Sequence, residues 1–433
     1  MSFALILVLV ILFAMLIVGA PVVFAIGTAA ASYFLVKPGM IAELIVYPHK
    51  FFTGMDSFVF LCIPLFTLSG ELMSQTGMMS KMVGFCQLLV GRWRGGLAYV
   101  NVLASMMFGG ISGSALADVA ALGPIEIEMM KEDGYPTEFA AALTASSAIQ
   151  GPIIPPSIPM VIYASLTSAS VGALFLGGLI PGIMIGCAQM FIIFLMAKKR
   201  NFPKQEVKMS PREVLGVIRT ASAALIMPLI IIGGIISGVF TATEASAVAV
   251  FYALAIGVFL YRNITLASLF NALKKTARTT ASIYLIIGFT GVIGWILAME
   301  GVPSMITSLV HTYNLSPYAL LFLVNIFFLF NGMWISDTAQ LILFAPIFAP
   351  LFTSLGVSPI HFGVVMVVNV MTGMITPPYG TCLYLASGIS GKPLKDIVRE
   401  VLPFLSSIIV VLFLITYIPA FVMTLPRLFG LVA

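Results

Sequence analysis

Apolar stretches long enough to cross a lipid bilayer recur along almost all of this sequence, and they constrain its fold more than any other feature. A membrane-spanning helix needs about 20 apolar residues to cross a hydrocarbon core of about 30 Å. Only 9% of the 433 residues are charged, too few to cover the exterior of a soluble protein. The sequence therefore predicts an all-α polytopic membrane protein with spans at 3–19, 21–36, 57–78, 137–168, 170–197, 220–240, 243–261, 279–311, 358–388 and 397–425.

Two further apolar stretches, 97–130 and 316–354, are interrupted midway by small polar residues. Gly-Gly-Ile-Ser-Gly-Ser occupies 109–114 in the first, and the run 331–338 interrupts the second. Backbone groups freed by such a break find no water in lipid, so breaks persist only where protein surrounds them or where they line a cavity. We therefore predict two re-entrant hairpins.

The chain also contains an internal repeat. A shift of 222 residues aligns Gly, Pro and Ser positions of the two halves without an insertion or deletion. The aligned pairs include Gly110 with Gly332, Ser114 with Ser336, Pro124 with Pro346, Gly151 with Gly373, Pro155-Pro156 with Pro377-Pro378, and Pro181 with Pro403. Because these residue types set backbone shape, we predict two structural repeats.

The distribution of Lys and Arg predicts that the two repeats are inverted in the membrane. Cytoplasmic loops carry an excess of basic residues. Arg92 and Arg94 precede the first hairpin, whereas the loop 312–317 before the second has neither Lys nor Arg. The basic segment 198–219 joins the halves and is expected to be cytoplasmic. Each half has an odd number of spans, which gives the same inversion and places both termini in the periplasm.

Two amphipathic stretches, 39–52 and 262–278, are too polar to span a bilayer. We expect them to lie along the interface as arms that join blocks of spans, with ordinary loops as the alternative. The predicted organisation is then repeat 1 at 1–200 with hairpin 97–130 and broken helix 137–168, a cytoplasmic linker at 201–219, and repeat 2 at 220–433 with arm 262–278, hairpin 316–354 and broken helix 358–388.

Each broken helix contains two consecutive prolines, in Gly-Pro-Ile-Ile-Pro-Pro at 151–156 and Gly-Met-Ile-Thr-Pro-Pro at 373–378. Consecutive prolines remove two N–H donors, so the preceding carbonyls lose their helical partners. Such oxygens, with nearby hydroxyls, are hard ligands suited to Na⁺. The alternative is that the prolines only kink packed helices. We predict one ion site from Ser112, Ser114, Gly151 and Pro155, a second from Gly332, Ser336, Asp337, Thr338, Thr372, Gly373 and Pro377, and substrate contacts from Ser114, Asp118, Pro156, Thr376 and Thr381.

Acidic residues within the membrane are candidates for function because they are costly to bury there. Asp118 follows the first hairpin tip and Asp337 lies inside the second. Either could neutralise a bound cation, and a helix N-cap is the alternative for both. Glu244 follows Thr241 in a pattern that fits a cap at least as well as an ion site. No chain of His, Asp or Glu runs through a predicted span, which favours Na⁺ over H⁺ as the coupling ion, with two or more Na⁺ expected.

Catalysis has little support in the sequence. There is no HExxH, GxSxG or Walker A motif. An intramembrane protease built on Asp118 and Asp337 is the catalytic alternative. The net charge of +5 lies in short loops and predicts no nucleic-acid partner. Cys62, Cys86, Cys187 and Cys382 have no CxxC spacing and predict neither disulfides nor a metal site.

Five segments together resemble a known family: Gly19-Ala20-Pro21, Ile63-Pro64-Leu65-Phe66, the run 96–118, the run 238–245, and Ile375-Thr376-Pro377-Pro378. They are similar to the large membrane subunit of tripartite ATP-independent periplasmic (TRAP) transporters, the DctM-like family. The resemblance covers essentially the full length. One departure is Ala242, which stands where the family usually has proline.

The resemblance implies an elevator-type, Na⁺-driven importer in the bacterial inner membrane, in which hairpins and broken helices move against a fixed scaffold. It also implies two partners: a small four-span membrane subunit, expected here as a separate polypeptide, and a periplasmic substrate-binding protein. The implied cargo is an organic acid such as a C4-dicarboxylate, sialic acid or another sugar acid. The competing hypotheses are a stand-alone antiporter or exporter with the same repeats, and a passive channel.

Overall fold

The computed structural model describes residues 2–204, 211–313 and 315–432, and over these residues it is built from α-helices. Residues 205–210 of the predicted linker lie outside the described residues. A 3₁₀ turn covers Phe58–Leu61, and a π-helical turn covers Ile256–Leu260. The α-helices are α1 Phe3–Ile17, α2 Val22–Val36, α3 Val46–Met55, α4 Cys62–Gln75, α5 Met78–Val90, α6 Gly96–Ser112, α7 Ala115–Glu132, α8 Thr137–Ala148, α9 Ile158–Thr167, α10 Val171–Lys199, α11 Pro211–Ile236, α12 Ala242–Ala255, α13 Leu266–Met299, α14 Val302–Thr312, α15 Pro317–Asn331, α16 Asp337–Ser354, α17 Pro359–Gly373, α18 Thr381–Ser390, α19 Leu394–Tyr417 and α20 Ala420–Leu428.

Six helical segments within the described residues are long and apolar enough to cross a membrane, and a bent pair within α11 would add a seventh. Large apolar side chains such as Phe191, Phe194 and Phe259 lie exposed on the outer surface. Such a surface is stable against lipid and unstable against water. The prediction of an all-helical, multi-spanning protein is confirmed.

Both predicted hairpins are pairs of antiparallel helices. In the first, α6 runs back along α7, because Ser105 contacts Asp118 near the tip while Asn101 contacts Glu126 farther from it. In the second, the Phe327 ring near the end of α15 packs against Phe344 of α16 with ring centroids 5.0 Å apart.

Caps explain where the hairpin helices begin. Ser114 and Ser316 each accept a hydrogen bond from a backbone N–H three residues ahead, which satisfies one of the free donors of a helix N-terminus. Gly113 ends α6 with φ +61°, a conformation that glycine adopts without penalty.

The helix bounds follow the 222-residue shift. Moving α7 by that amount reproduces both bounds of α16, and the same shift takes the first residue of α8 to the first residue of α17. Both broken helices have a cis bond between the two prolines, at Pro155-Pro156 and Pro377-Pro378. The orientation of the repeats relative to the membrane stays a prediction.

The two predicted arms differ in the structure. The stretch 39–52 contains turns and the start of α3, a short helix without buried residues. The stretch 262–278, in contrast, is not a separate arm, because most of it belongs to α13, which runs unbroken from Leu266 to Met299 with Glu300 as its C-cap residue. A Thr265–Ser268 capping box starts this helix, and it contains no proline. Its 34 residues extend about 51 Å, so its polar first turns project beyond a hydrocarbon core of about 30 Å. The predicted span 279–311 therefore began too late and ran past the true end of the helix.

Two ion pairs join α13 and its end to other helices. The Lys37 ammonium lies 2.7 Å from Glu300, whose side chain is only 7% exposed. The hydrogen bond from Lys37 lowers the pKa of Glu300 to about 2 and, reciprocally, raises the pKa of Lys37. Lys275 contacts Glu71 at 3.4 Å across a more open surface. The first pair is the stronger link, because it is shorter and better shielded from water.

Candidate ion and substrate site

The first hairpin tip lies directly against the first Pro-Pro turn. A Cβ atom built on Gly109 would be 2.4 Å from the Gly151 Cα atom, and one built on Gly113 would be 2.6 Å from the Pro156 carbonyl oxygen. One built on Gly110 would be 3.3 Å from the carbonyl oxygen of Pro155. Only glycine permits this approach of two backbones. The structure therefore brings together the predicted residues Ser112, Ser114, Gly151, Pro155 and Pro156.

The turn between α8 and α9 leaves carbonyl oxygens free. Ser157 caps α9 by accepting from the Met160 N–H, and its hydroxyl donates to the Pro152 carbonyl. The carbonyls of Pro155 and Pro156 accept no hydrogen bond from the described part of the chain. Both residues are buried. Buried carbonyls without a donor are costly unless another group binds them, so these oxygens suit a cation.

The second tip repeats this arrangement. A Cβ atom built on Gly373 would be 2.6 Å from the Gly332 Cα atom, so α15 and α17 touch through glycine. Ser336 precedes Asp337 as the N-cap residue of α16, and the described residues give its side chain no capping hydrogen bond. Ser336, Asp337 and Thr338 are all half-buried. Two residues predicted for the second ion site, Gly332 and Gly373, are therefore in contact, and the Ser336-Asp337-Thr338 run follows Gly332 along the chain.

Two threonine hydroxyls of the second site already have acceptors. Thr372 donates to the Val368 carbonyl at 2.7 Å, and Thr376 donates to the Thr372 carbonyl at 2.8 Å. Their hydroxyl oxygens keep free lone pairs and can still accept or coordinate. The carbonyls of Thr376 and Pro377 receive no hydrogen bond from any described residue. The available ligands at this turn are thus mainly backbone oxygens.

The predicted substrate residues do not form one cluster. Ser114 and Pro156 lie at the first tip and turn, but Thr381 begins α18 as an exposed residue and Thr376 is buried. Asp118 is fully buried inside the hairpin, where one carboxylate oxygen accepts from the Ser105 hydroxyl at 3.2 Å. The alternative reading of Asp118 as an N-cap is wrong, because Ser114 caps α7 and Asp118 lies in its first turn.

Glu244 has the capping role that the sequence left open. Its carboxylate accepts from the Thr241 N–H at 2.8 Å, while the Thr241 hydroxyl accepts from the Glu244 N–H. The two residues form a capping box at the start of α12. Glu244 is therefore occupied as a helix cap.

A buried polar network that joins the first hairpin to α8 was not foreseen. Asn101 donates to both Glu126 and Thr144 at 2.7 Å, and accepts from Ser147 at 2.8 Å. Ser147 in turn contacts Ser105 at 3.0 Å, the residue that holds Asp118. The two acids of this hairpin, Asp118 and Glu126, are thus linked through the side chains of Ser105, Ser147 and Asn101. Glu126 in an otherwise apolar segment was the signal available in the sequence.

The two repeats interlock at the second halves of their broken helices. The helix α9 packs against α16 of the other repeat, and α18 packs against α7. Gly123 of α7 provides one such contact, since a Cβ atom there would be 3.2 Å from the Ile389 side chain. The four tip and turn elements thus belong to one connected body.

Equivalent positions in this body differ in accessibility. Pro156 and Ile162 of the first repeat are buried, whereas their equivalents Pro378 and Tyr384 are exposed, Tyr384 by 49%. On the hairpins, Ile342 is fully buried and its equivalent Ala120 is exposed. The two repeats therefore differ in which of their equivalent side chains are covered by the rest of the chain.

Comparison with known proteins identifies the family to which the chain belongs. The sequence matches the family model of the DctM component of tripartite ATP-independent periplasmic transporters over residues 9–421. The sialic acid TRAP transporter large permease protein SiaM of Vibrio cholerae is 42% identical over 376 residues, which cover 87% of this chain and 88% of the relative. The C4-dicarboxylate TRAP transporter large permease protein DctM of Pseudomonas aeruginosa is 38% identical over 404 residues, with 93% and 94% coverage. Among solved structures, the YdaH transporter of Alcanivorax borkumensis shares the fold with a TM-score of 0.64 at 13% identity, over 97% of this chain and 99% of that one.

Proposed function

Since this chain belongs to the DctM component family of TRAP transporters, we propose that it imports an organic acid together with Na⁺ by an elevator mechanism. As a large permease of this family, it is a multi-pass protein of the bacterial inner membrane. The proposal assigns it a carrier role without catalysis. The cargo classes are taken from relatives named for sialic acid and for C4-dicarboxylates.

The duplicated contact between a hairpin tip and a Pro-Pro turn carries the proposal. In each repeat a glycine–glycine approach holds the tip against a turn whose carbonyl oxygens have no donor among the described residues. Hard oxygen ligands of this kind suit Na⁺. We assign one Na⁺ to Ser112, Ser114, Gly151 and Pro155, and another to the Gly332–Thr338 tip with Thr372, Gly373 and Pro377. The organic acid would bind between them, near Ser114 and Pro156 and toward Thr376 and Thr381.

The elevator part of the proposal is supported by the unequal accessibility of equivalent positions. In a carrier with two equivalent halves, alternating access requires that equivalent positions differ in each end state, exposed in one half and buried in the other. The Tyr384 side chain is exposed and its equivalent Ile162 is buried, as one end state of such a cycle requires. The interlocked hairpins and broken helices would move as a body, while the helices around α13 would form the scaffold.

Two partners complete the proposed transporter. A small four-span membrane subunit would anchor the scaffold, and a periplasmic substrate-binding protein would deliver the acid. Reconstitution in liposomes tests this directly: uptake of labelled acid should require a Na⁺ gradient, the small subunit and the binding protein together. Transport by this chain alone would refute the tripartite assignment and favour a stand-alone antiporter or exporter. Flux without saturation or ion dependence would favour a channel.

Asp337→Ala tests the second ion site. We expect a higher half-saturating Na⁺ concentration for uptake with unchanged membrane insertion, because the carboxylate stands beside the bound cation. Glu128→Ala is the matched control, since Glu128 is exposed on α7 and its ion pair among the described residues is with Lys131. An unchanged Na⁺ dependence in Asp337→Ala would remove this residue from the site.

A further inference from the structure

An apolar groove lies between α10 and α19, the helices that follow the two broken helices. It encloses about 490 Å³. The helices run antiparallel, because Arg200 at the end of α10 pairs with Glu400 near the start of α19 at 2.7 Å. The 222-residue shift maps one wall onto the other. The lining residues that this shift relates to each other are Met184 and Ser406, Ala188 and Val410, and Ile192 and Leu414.

Basic side chains stand at the end of this groove where Arg200 and Glu400 meet. Lys198 and Lys199 on α10, and Lys395 and Arg399 on α19, are exposed and form no ion pair within the described residues. Glu400 is paired with Arg200, and Asp396 is an exposed acid in the first turn of α19, one residue from Lys395. The local charge is therefore positive.

Helical spacing places the basic group in line with the groove. Lys198 follows the groove residue Cys187 by 11 residues and Arg399 precedes Ser406 by 7, intervals that return a helix to nearly the same face. From Met184 to Lys198 the helix rises about 21 Å. One leaflet with its headgroups is about half of 40–45 Å. The groove and the basic group together thus match the length of a single lipid.

The basic group also identifies the leaflet. Lys198 and Lys199 belong to the basic segment that is expected in the cytoplasm. The cytoplasmic leaflet carries the anionic lipids, and basic groups between membrane helices on that side attract their headgroups. The part of α10 that lines the groove, from Met184 to Ile192, is only about 12 Å long. A partner helix that crosses about 30 Å of hydrocarbon would need a longer contact surface.

We propose that this groove binds an anionic phospholipid of the cytoplasmic leaflet, with an acyl chain between α10 and α19 and the phosphate on Lys198, Lys199, Lys395 and Arg399. The site is separate from the ion and substrate site and does not depend on the coupling ion. Because α10 and α19 continue from the two broken helices, the lipid would bind the moving part of the carrier.

Native mass spectrometry of the purified chain tests the proposal with two lipids of identical acyl chains, phosphatidylglycerol and phosphatidylcholine. We expect phosphatidylglycerol to be retained more strongly. The double variant Lys198→Gln/Arg399→Gln should weaken its binding by about five-fold for each charge removed. Lys274→Gln/Arg278→Gln, which removes two exposed charges from α13, should change little.

A second variant pair tests the acyl-chain part independently of charge. Ser406→Phe fills the groove and should reduce retention of phosphatidylglycerol. Ser282→Phe is its control, because Ser282 is also exposed and also donates to its own helix, but lies on α13 away from the groove. Equal retention of both lipids, or no effect of Ser406→Phe, would overturn the proposal. So would a crosslink from Ser406→Cys to a co-expressed small subunit that displaces phosphatidylglycerol, because a protein helix would then occupy the groove.

Discussion

Gly373→Ala should disrupt the proposed second ion site by separating the hairpin tip from the Pro-Pro turn. The new Cβ atom would lie 2.6 Å from the Gly332 Cα atom and 3.2 Å from the Gly332 carbonyl oxygen. Ordinary contacts begin near 3.4 Å, so the two backbones must separate by about 0.8 Å. Neither atom belongs to a flexible side chain that could turn away. Binding sites tolerate displacements of about 0.5 Å, so the ligands move out of register.

The expected cost follows from that displacement. Overpacking a close contact costs about 1–3 kcal/mol, equivalent to a Na⁺ affinity about 5- to 150-fold weaker if the strain is relieved by loss of the ion. The assay is the half-saturating Na⁺ concentration for uptake in liposomes that contain the complete transporter, together with the rise in melting temperature that Na⁺ produces in detergent. Both should show the same weakening.

Gly388→Ala is the matched control for this measurement. Gly388 belongs to the same broken helix, and nothing lies within 4 Å of a Cβ atom built there. Alanine should be neutral or slightly stabilising at this helical position. Wild-type Na⁺ activation in Gly373→Ala, or equal effects of the two substitutions, would refute the role of the glycine contact in forming the ion site.

Three further predictions concern other parts of the molecule. Asn101→Leu should lower the free energy of unfolding by about 1–3 kcal/mol, because Glu126 loses its donor in a buried site. The double variant Asn101→Leu/Glu126→Phe copies Leu323 and Phe348, which stand at the equivalent positions of the second repeat, and should recover part of this loss in chemical denaturation. No recovery would contradict this account. Glu300→Gln should lower the free energy of unfolding by about 1–2 kcal/mol at neutral pH. Glu71→Gln should lower it by less, since the Lys37–Glu300 pair is shorter and better shielded from water than the Lys275–Glu71 pair. Because Lys37 lowers the pKa of Glu300 to about 2, the wild-type advantage over Glu300→Gln should be full above about pH 4.5 and vanish as the pH falls toward 2; an advantage that persists at pH 2 would argue against the pair. In a cysteine-free background, Tyr384→Cys should react with a membrane-impermeant thiol reagent in inside-out vesicles while Ile162→Cys stays protected, and equal labelling would contradict the unequal accessibility.

The tip and turn elements could be predicted because their residues act through the backbone. Glycine at 151 and 373, and the paired prolines beside them, restrict backbone geometry whatever surrounds them. Their duplication without an insertion therefore located the close contacts between tip and turn. The same reasoning placed the breaks of the two hairpins at 109–114 and 331–338, where α6 gives way to α7 and α15 to α16.

Features that depend on tertiary contacts could not be predicted from backbone-restricting residues. The polarity of 262–278 suggested a separate arm, but a helix longer than the bilayer is thick can place Lys274 and Arg278 outside the hydrocarbon without breaking. The Asn101–Glu126 hydrogen bond joins residues of two helices whose relative rotation no sequence pattern specifies. Asp118 was placed near substrate because it follows the tip, whereas its side chain turns inward to Ser105.

The repeats share their backbone geometry far more than their side-chain chemistry. Glycine and proline recur at the tips and turns, but Asp118 is matched by Gln340 and Glu126 by Phe348. A cation held mainly by carbonyl oxygens needs only the backbone, so duplication would supply both of the proposed ion sites at once. A polar network that contains two acids has no such copy, because every member must find its own partner. The asymmetry of this carrier therefore resides in side chains, and the features that distinguish its two halves should be sought in the first hairpin and not in the duplicated turns.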